Sequence, residues 1–282
     1  MLFSSETCTS AAGTCNEDIC GFIENAAWIL DGATSLSRRT LQDANGRIMS
    51  DAAHFVSILS SAFQGSLRLG QDIAQALDNS LGLVRQDEEI LRYLQEDIDV
   101  PSASFSAVEL REQSLHVANL GDCTILLQAD GGNITQFGSS AVRQLDAQLL
   151  SRYLELREKL EDRTAVWEAL VPLIRGNRAR MNKPDGYWIL EPKGHGLHGL
   201  QQVEMNFNTQ FRGLLVTDGL YRVVDTYCLM SLEAFFEEAF GVSGLERLVR
   251  RTRDAEALDM DESRWPRVKL KDDATIVKFE IR

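Results

Sequence analysis

Four separate apolar runs each carry an aspartate at one end. Asp31 follows AAWIL, Asp122 follows HVANLG, Asp218 follows LLVT, and the pair Asp272-Asp273 precedes ATIVKF. A carboxylate at the end of a strand can project into a cleft shared with other strands without being buried inside a sheet. Carboxylate oxygens are hard donors and suit Mg²⁺ or Mn²⁺. Two such ions about 4 Å apart, sharing a carboxylate, can acidify a water and aim it at phosphorus for in-line attack. For any one of these aspartates the competing explanation is turn chemistry, because Asp-Gly and strand-end Asp are ordinary turn residues. Spacing alone does not establish that they converge.

The other reactive residue types give weaker signals. Cys8, Cys15, Cys20, Cys123 and Cys228 are odd in number and contain no CxxC pair, which argues against a disulfide framework and for a reducing compartment. The spacing of the first three matches no zinc motif. His54 falls in a helical pattern and His116 in a strand pattern, both read as structural. His195 and His198, in GHGLHG, read as loop residues.

The hydropathy pattern supplies the elements that must position the aspartates. CGFIENAAWIL reads as a hairpin turning at Glu24-Asn25. Ala52, Phe55, Val56 and Leu59 have helical spacing, and a second helix from Ile73 is expected to reach the segment near Ile98, before Pro101. SFSAVELR and SLHVANL read as strands joined at Glu112-Gln113. Gly121-Asp122 leads into CTILLQ, and Asp130-Gly131-Gly132-Asn133 is a further turn. Residues 142–175 are helical, GYWIL, VEMNF and RGLLVT read as strands, residues 231–252 are helical again, and ATIVKFE is a final strand. Short turns between neighbouring strands favour antiparallel pairing, and helices grouped between strand blocks would cover the sheets from outside.

With 282 residues and 44% hydrophobic content the chain can bury a core, and a single domain over 1–282 is expected. A formal net charge of −13 repels phosphate backbones and anionic lipid, which sets aside nucleic acid and membrane as partners. No apolar stretch approaches the ~20 residues of a membrane span, and a cytoplasmic location is expected.

The segments NED (16–18), WILDGAT (28–34), VANLGD (117–122), LLVTDGLYRVVD (214–225) and KDDATIV (271–277) together resemble, in order, the motifs of the protein phosphatase 2C-like metal-dependent family, in its bacterial-type branch. The resemblance runs from about residue 13 to the end of the chain. It implies an α+β fold, a four-layer α/β/β/α sandwich of two antiparallel sheets flanked by helices. It implies a serine/threonine protein phosphatase using water activated by two Mn²⁺ or Mg²⁺ ions, with a third ion possible in the family. Asp31 would bridge the two ions and Gly32 would offer its carbonyl to one of them. Asp218 and Asp272 would hold the first ion. Asp18, or Glu17 beside it, would reach the second, and Asp122 would serve the third. On this reading Asp31, Asp218 and Asp272 are the catalytic set, and Asp273 supports its neighbour. The substrate would be a phosphorylated protein, reversing a serine/threonine kinase.

The sequence departs from the family pattern in three places. Gly13 stands where an arginine often grips the substrate phosphate, leaving Arg175, Arg178 and Arg180 as candidates for that task, against the alternative of a solvated basic turn. Position 33 is alanine where many eukaryotic members carry a histidine. Residues about 142–200 form a long, mostly helical insertion in place of a short flap. The missing arginine keeps a second reading open, a catalytically weak binding or regulatory module with the same fold.

Overall fold

The computed structural model describes residues 3–33, 35–36, 39–42, 46, 48–96, 99–206 and 210–282. Strands and helices are numbered in chain order. The first sheet has the order β1 (Phe3–Ser10), β12 (Ala274–Ile281), β11 (Phe211–Val216), β8 (Thr124–Ala129), β9 (Ile134–Phe137). The second has the order β10 (Gln201–Asn206), β7 (Ser114–Leu120), β6 (Ser102–Arg111), β3 (Ala26–Ala33), β2 (Asp18–Ile23). Within both sheets the strand pairs are antiparallel, as expected. A small hairpin of β4 (Thr40–Gln42) and β5 (Ile48–Ser50) leads into the first helix.

The four layers follow from the period of two along the strands. In β3, Ala26, Trp28 and Leu30 face α1 (Asp51–Arg68) and α2 (Ile73–Val84), where they pack with Phe55, Leu59, Phe63 and Leu77. Ala27 and Ile29, on the opposite face, pack with Ile125, Leu127, Leu215 and Val277 of the other sheet. Along β12, Ile276 faces α6 (Asp218–Asp225), α7 (Leu232–Ala239) and α8 (Gly244–Leu258), whereas Val277 and Phe279 face the inter-sheet core. Both faces of the central strands are thus covered, which is why they read as continuous apolar runs and not as alternating ones. The fold is the α/β/β/α sandwich that the family resemblance implies.

Three local features differ from the sequence reading. The helix from Ile73 stops at Val84, and α3 (Glu88–Gln95) restarts because Asp87 Oδ1 accepts from the backbone N–H groups of Glu89 and Ile90, each at 3.1 Å. Ile98 lies outside the described residues. GYWIL is not a strand. Beyond Phe105 the register of β6 with β7 ends, leaving Ala103 with an open edge, and Leu190 fills it through two backbone bonds of 2.9 and 3.0 Å. Finally, FSSETCTS forms β1, which pairs with β12 over its whole length. The 142–200 stretch contains α4 (Ser140–Arg157) and α5 (Arg163–Arg178), which share a small apolar cluster of Tyr153, Leu156, Val166 and Leu170.

Candidate active site

The aspartates stand at corresponding ends of strands from both sheets. Asp18 opens β2 and lies directly across from Asp31 near the end of β3. Asp122 follows β7 at the turn where Gly121 takes a φ of +92°. Asp218 occupies the first turn of α6, immediately after β11, and Asp272-Asp273 leads into β12. Gly32 follows Asp31 in β3. A Cβ there would come within 2.7 Å of the Glu17 carbonyl and 3.3 Å of the Ala52 side chain, so only glycine lets the chain entering β2 lie this close. The Gly32 N–H donates to that carbonyl at 3.0 Å.

Hydroxyl and backbone donors orient three of these carboxylates. Thr217 Oγ1 donates to Asp18 Oδ2 at 2.9 Å and accepts from the Thr275 N–H at 3.0 Å, which locks Asp18 of one sheet to β11 and β12 of the other. Ser104 Oγ donates to Asp122 Oδ1. Asp273 accepts from the Ala12 N–H on Oδ1 and the Glu17 N–H on Oδ2, both at 2.6 Å, and so holds the segment that carries Glu17 and Asp18. Asp272 accepts from the Asp273 N–H at 3.2 Å and, in addition, is engaged by two cations. Arg222 Nη2 lies 2.6 Å from Oδ2, and Lys269 Nζ lies 3.1 Å from Oδ1.

The electrostatics follow from this crowding. Burial raises the Asp31 carboxyl well above the usual carboxylate range, and the negative charges of Asp18, Asp218, Asp122 and Asp272 raise it further. Burial also raises Asp18, which is 6% exposed, with Asp273 and Asp218 adding to the shift. Burial, with Asp218 behind it, pushes Asp122 up to about 6. Asp272 moves the other way. Burial would raise it, but Lys269 and Arg222 outweigh that effect and hold the carboxyl below the ordinary range.

A cavity of about 970 Å³ opens over this end of the sandwich, and Glu17, Asp31, Gly32, Asp122, Asp218 and Asp272 line it. Asp18 sits just behind, beside Asp31. Of the three candidate phosphate-gripping arginines, Arg178 lines the cavity and pairs with Asp99 at 3.0 Å. Arg175 and Arg180 are exposed and are not among the lining residues, and Arg180 donates to the Asp185 carbonyl at 2.6 Å. His195 and His198 also lie off the cavity, in a short 3₁₀ turn, and His54 caps the structure of α3 through Asp87 at 2.9 Å. The five cysteines are free thiols.

Among the lining residues that sequence reasoning did not single out are the cations Arg39, Arg143, Arg222, Arg267 and Lys269, together with Ser104 and Asp146. Arg222 was accessible in principle: once residues 218–225 are read as a helix, Asp218 and Arg222 fall at i and i+4 on one face. Lys269, three residues before Asp272, carried no such periodic signal.

The donor set suits a divalent cation in kind. Every side-chain donor is a carboxylate oxygen, and the repulsion that adds to burial in raising Asp31 and Asp122 is the condition a bound cation relieves. Among the described residues, however, no three His, Cys, Asp or Glu side chains close into a ready-made metal cage.

The sequence matches no protein-family model and no curated protein. Solved structures do match over the whole chain. The catalytic domain of the serine/threonine phosphatase PstP, in complex with two manganese ions, is 14% identical with a TM-score of 0.56, covering 100% of this chain and 99% of that one. Serine/threonine phosphatase Stp1 from Staphylococcus aureus is 15% identical with a TM-score of 0.56, covering 100% and 96%. The PPM Ser-Thr phosphatase MsPP from Mycobacterium smegmatis, in complex with cacodylate, is 17% identical with a TM-score of 0.52, covering 98% and 97%. The two sheets, their flanking helices and the strand-end aspartates thus belong to a chain with the fold of the PPM serine/threonine phosphatases.

Proposed function

We propose that this protein is a metal-dependent phosphomonoester hydrolase acting on phosphoserine or phosphothreonine in proteins. The observation that carries the reading is the meeting of Asp31, Asp122, Asp218 and Asp272, distant in sequence, on one open cavity. Asp31 would bridge two Mn²⁺ or Mg²⁺ ions, Asp218 and Asp272 would hold one of them, Gly32 and Asp18 or Glu17 would serve the other, and Asp122 would serve a third. When bound, such ions supply a more acidic water and neutralise charge on the phosphoryl group. The chain's own contribution is placement. Thr217 fixes Asp18, Ser104 fixes Asp122, and Asp273 fixes the segment carrying Glu17, so that these carboxylates are held in place before substrate arrives.

The opposite wall supports a protein substrate. Leu149, Leu150, Trp167, Ile174 and Val268 give the cavity an apolar side next to its acidic floor, which suits a phosphorylated side chain carried on a peptide. Residues 142–200, with α4 and α5, act on this reading as the flap that shapes the entrance to a single 1–282 domain. Arg178 is the favoured phosphate contact of the three arginines because it alone lines the cavity. Five free cysteines fit a cytoplasmic site of action, where the enzyme would reverse a serine/threonine kinase.

Hydrolysis of p-nitrophenyl phosphate and of a phosphothreonine peptide with Mn²⁺, lost on adding chelator, is the expected result. No turnover of either substrate with Mn²⁺ or Mg²⁺ would reject it. The cationic neutralisation of Asp272 favours a second reading, a phosphatase-fold binding module. That reading predicts chelator-insensitive binding to a phosphoprotein with no turnover.

A further inference from the structure

We infer that Lys269 is an internal competitor for a divalent cation at Asp272, so that ion binding and the Lys269–Asp272 pair exclude one another. The inference rests on the metal-site reading above and concerns how that site is regulated. Both oxygens of Asp272 are already engaged by cations, Oδ2 by Arg222 at 2.6 Å and Oδ1 by Lys269 at 3.1 Å. A divalent ion reaching either oxygen must share it with a full positive charge a few ångströms away. Such an arrangement is repulsive unless one cation leaves.

The two resident cations differ in their freedom to leave. Arg222 lies on α6, with a side chain only 13% exposed, four residues from Asp218. Its departure would strip a buried contact. Lys269 lies on the loop before β12 with its side chain 59% exposed, on a flexible four-carbon stem. Its head group nevertheless stays on the acidic cavity, 3.1 Å from Asp272 Oδ1 and lining the same space as Asp218 and Asp31. Lys269 is therefore a tethered monovalent counter-ion at a position where the fold would place metal charge. It swings out when a divalent ion binds and returns when that ion is lost. The device sets a threshold of metal concentration below which Asp272 stays paired.

Titration calorimetry of Mn²⁺ into the metal-free full chain tests this directly. Lys269→Met is expected to tighten Mn²⁺ binding about tenfold, the equivalent of one modest charge–charge repulsion removed. Lys269→Gln should behave alike, and unchanged melting temperatures would show that both variants are folded. Lys271→Met removes the same formal charge from an exposed neighbour on the same loop and should leave the affinity unchanged. Equal affinity in wild type and Lys269→Met, or equal tightening by Lys271→Met, would overturn the inference while leaving the metal site intact. No Mn²⁺ binding by any of the four proteins would overturn the metal-site reading itself.

Discussion

At the residue scale the site is a set of carboxylates held closer together than their charges favour. Asp31 has its proton affinity raised by burial and then by four other aspartates, so its ionised form destabilises the metal-free fold relative to the unfolded chain. Asp31→Asn removes that charge while keeping the shape. The variant is therefore expected to melt at a higher temperature than wild type without metal, to gain less stability from Mn²⁺, and to show only background phosphatase turnover. Calorimetric melting with and without Mn²⁺ reads the first two effects, and a melting temperature below wild type in chelator would contradict the electrostatic account. A pH dependence follows with a definite sign. Between the ordinary carboxylate pKa, about 4, and the raised value of Asp122, about 6, the folded chain binds more protons than the unfolded one. Stability must therefore fall as pH rises through this window, and Asp31 extends the trend upward. Asp87 and Asp259 are shifted downward, since hydrogen bonds outweigh burial there, and their stabilisation is lost only at pH values below the window. The metal-free protein should melt lower at pH 8 than at pH 5, and saturating Mn²⁺ should flatten the difference.

At the scale of elements, two short connections set the geometry. The segment before β2 is pinned by Asp273 from below and by its close approach to Gly32 from the side. Gly32→Ala forces a methyl within 2.7 Å of the Glu17 carbonyl and should cost about 1–3 kcal/mol in urea unfolding. Asp273→Asn replaces an acceptor with an amide nitrogen that cannot accept from either backbone N–H. One of the Ala12 and Glu17 donors is then left unpaired, at a cost of about 1–3 kcal/mol. A stability equal to wild type for Asp273→Asn would mean the two backbone bonds contribute nothing. These elements also show what a sequence can disclose. AAWIL, LLVT and ATIV were legible as strands because both faces of each are apolar, and Asp31, Asp122, Asp218 and Asp272 were legible because they punctuate those runs. β1 was not legible: FSSETCTS lies at a sheet edge with few side chains buried, and its strand character comes from pairing with residues some 270 positions away. GYWIL misled in the opposite direction, since its apolar side chains serve irregular packing, with Trp188 against Gly199, while only Leu190 meets a strand edge. Lys269 was invisible for the same reason as β1, because its role depends on where a loop folds and not on any local period.

At the scale of the whole molecule, the start and the end of the described chain close the sandwich together. β1 pairs with β12 from Phe3 opposite Ile281 to Ser10 opposite Ala274. Phe3 stacks on Phe279 at 5.7 Å, and the hydroxyls of Thr9 and Thr275 bond at 2.7 Å. The join continues into the site. Arg253 of α8 donates at 2.7 Å to the Ser10 carbonyl and at 2.8 Å to the Asp272 carbonyl, so one guanidinium spans the end of β1 and the backbone of a proposed metal ligand. Thr275, which bonds Thr9, also donates its N–H to the threonine that orients Asp18. Removing residues 1–10 should thus do more than expose the edge of β12 to aggregation. It should loosen Asp272 and Asp18 together, lowering Mn²⁺ affinity along with the melting temperature. Arg253→Met offers the gentler form of the experiment, because it leaves the β1–β12 pairing in place and removes the bridge together with the 2.7 Å ion pair from Arg253 to the buried Glu256. It is expected to weaken Mn²⁺ binding by about five- to tenfold, the scale of one or two charged hydrogen bonds acting on a ligand's position. If Arg253→Met binds Mn²⁺ as wild type does while the ten-residue deletion does not, β1 supports the site through the sheet alone, and the bridge through α8 has no part in placing Asp272.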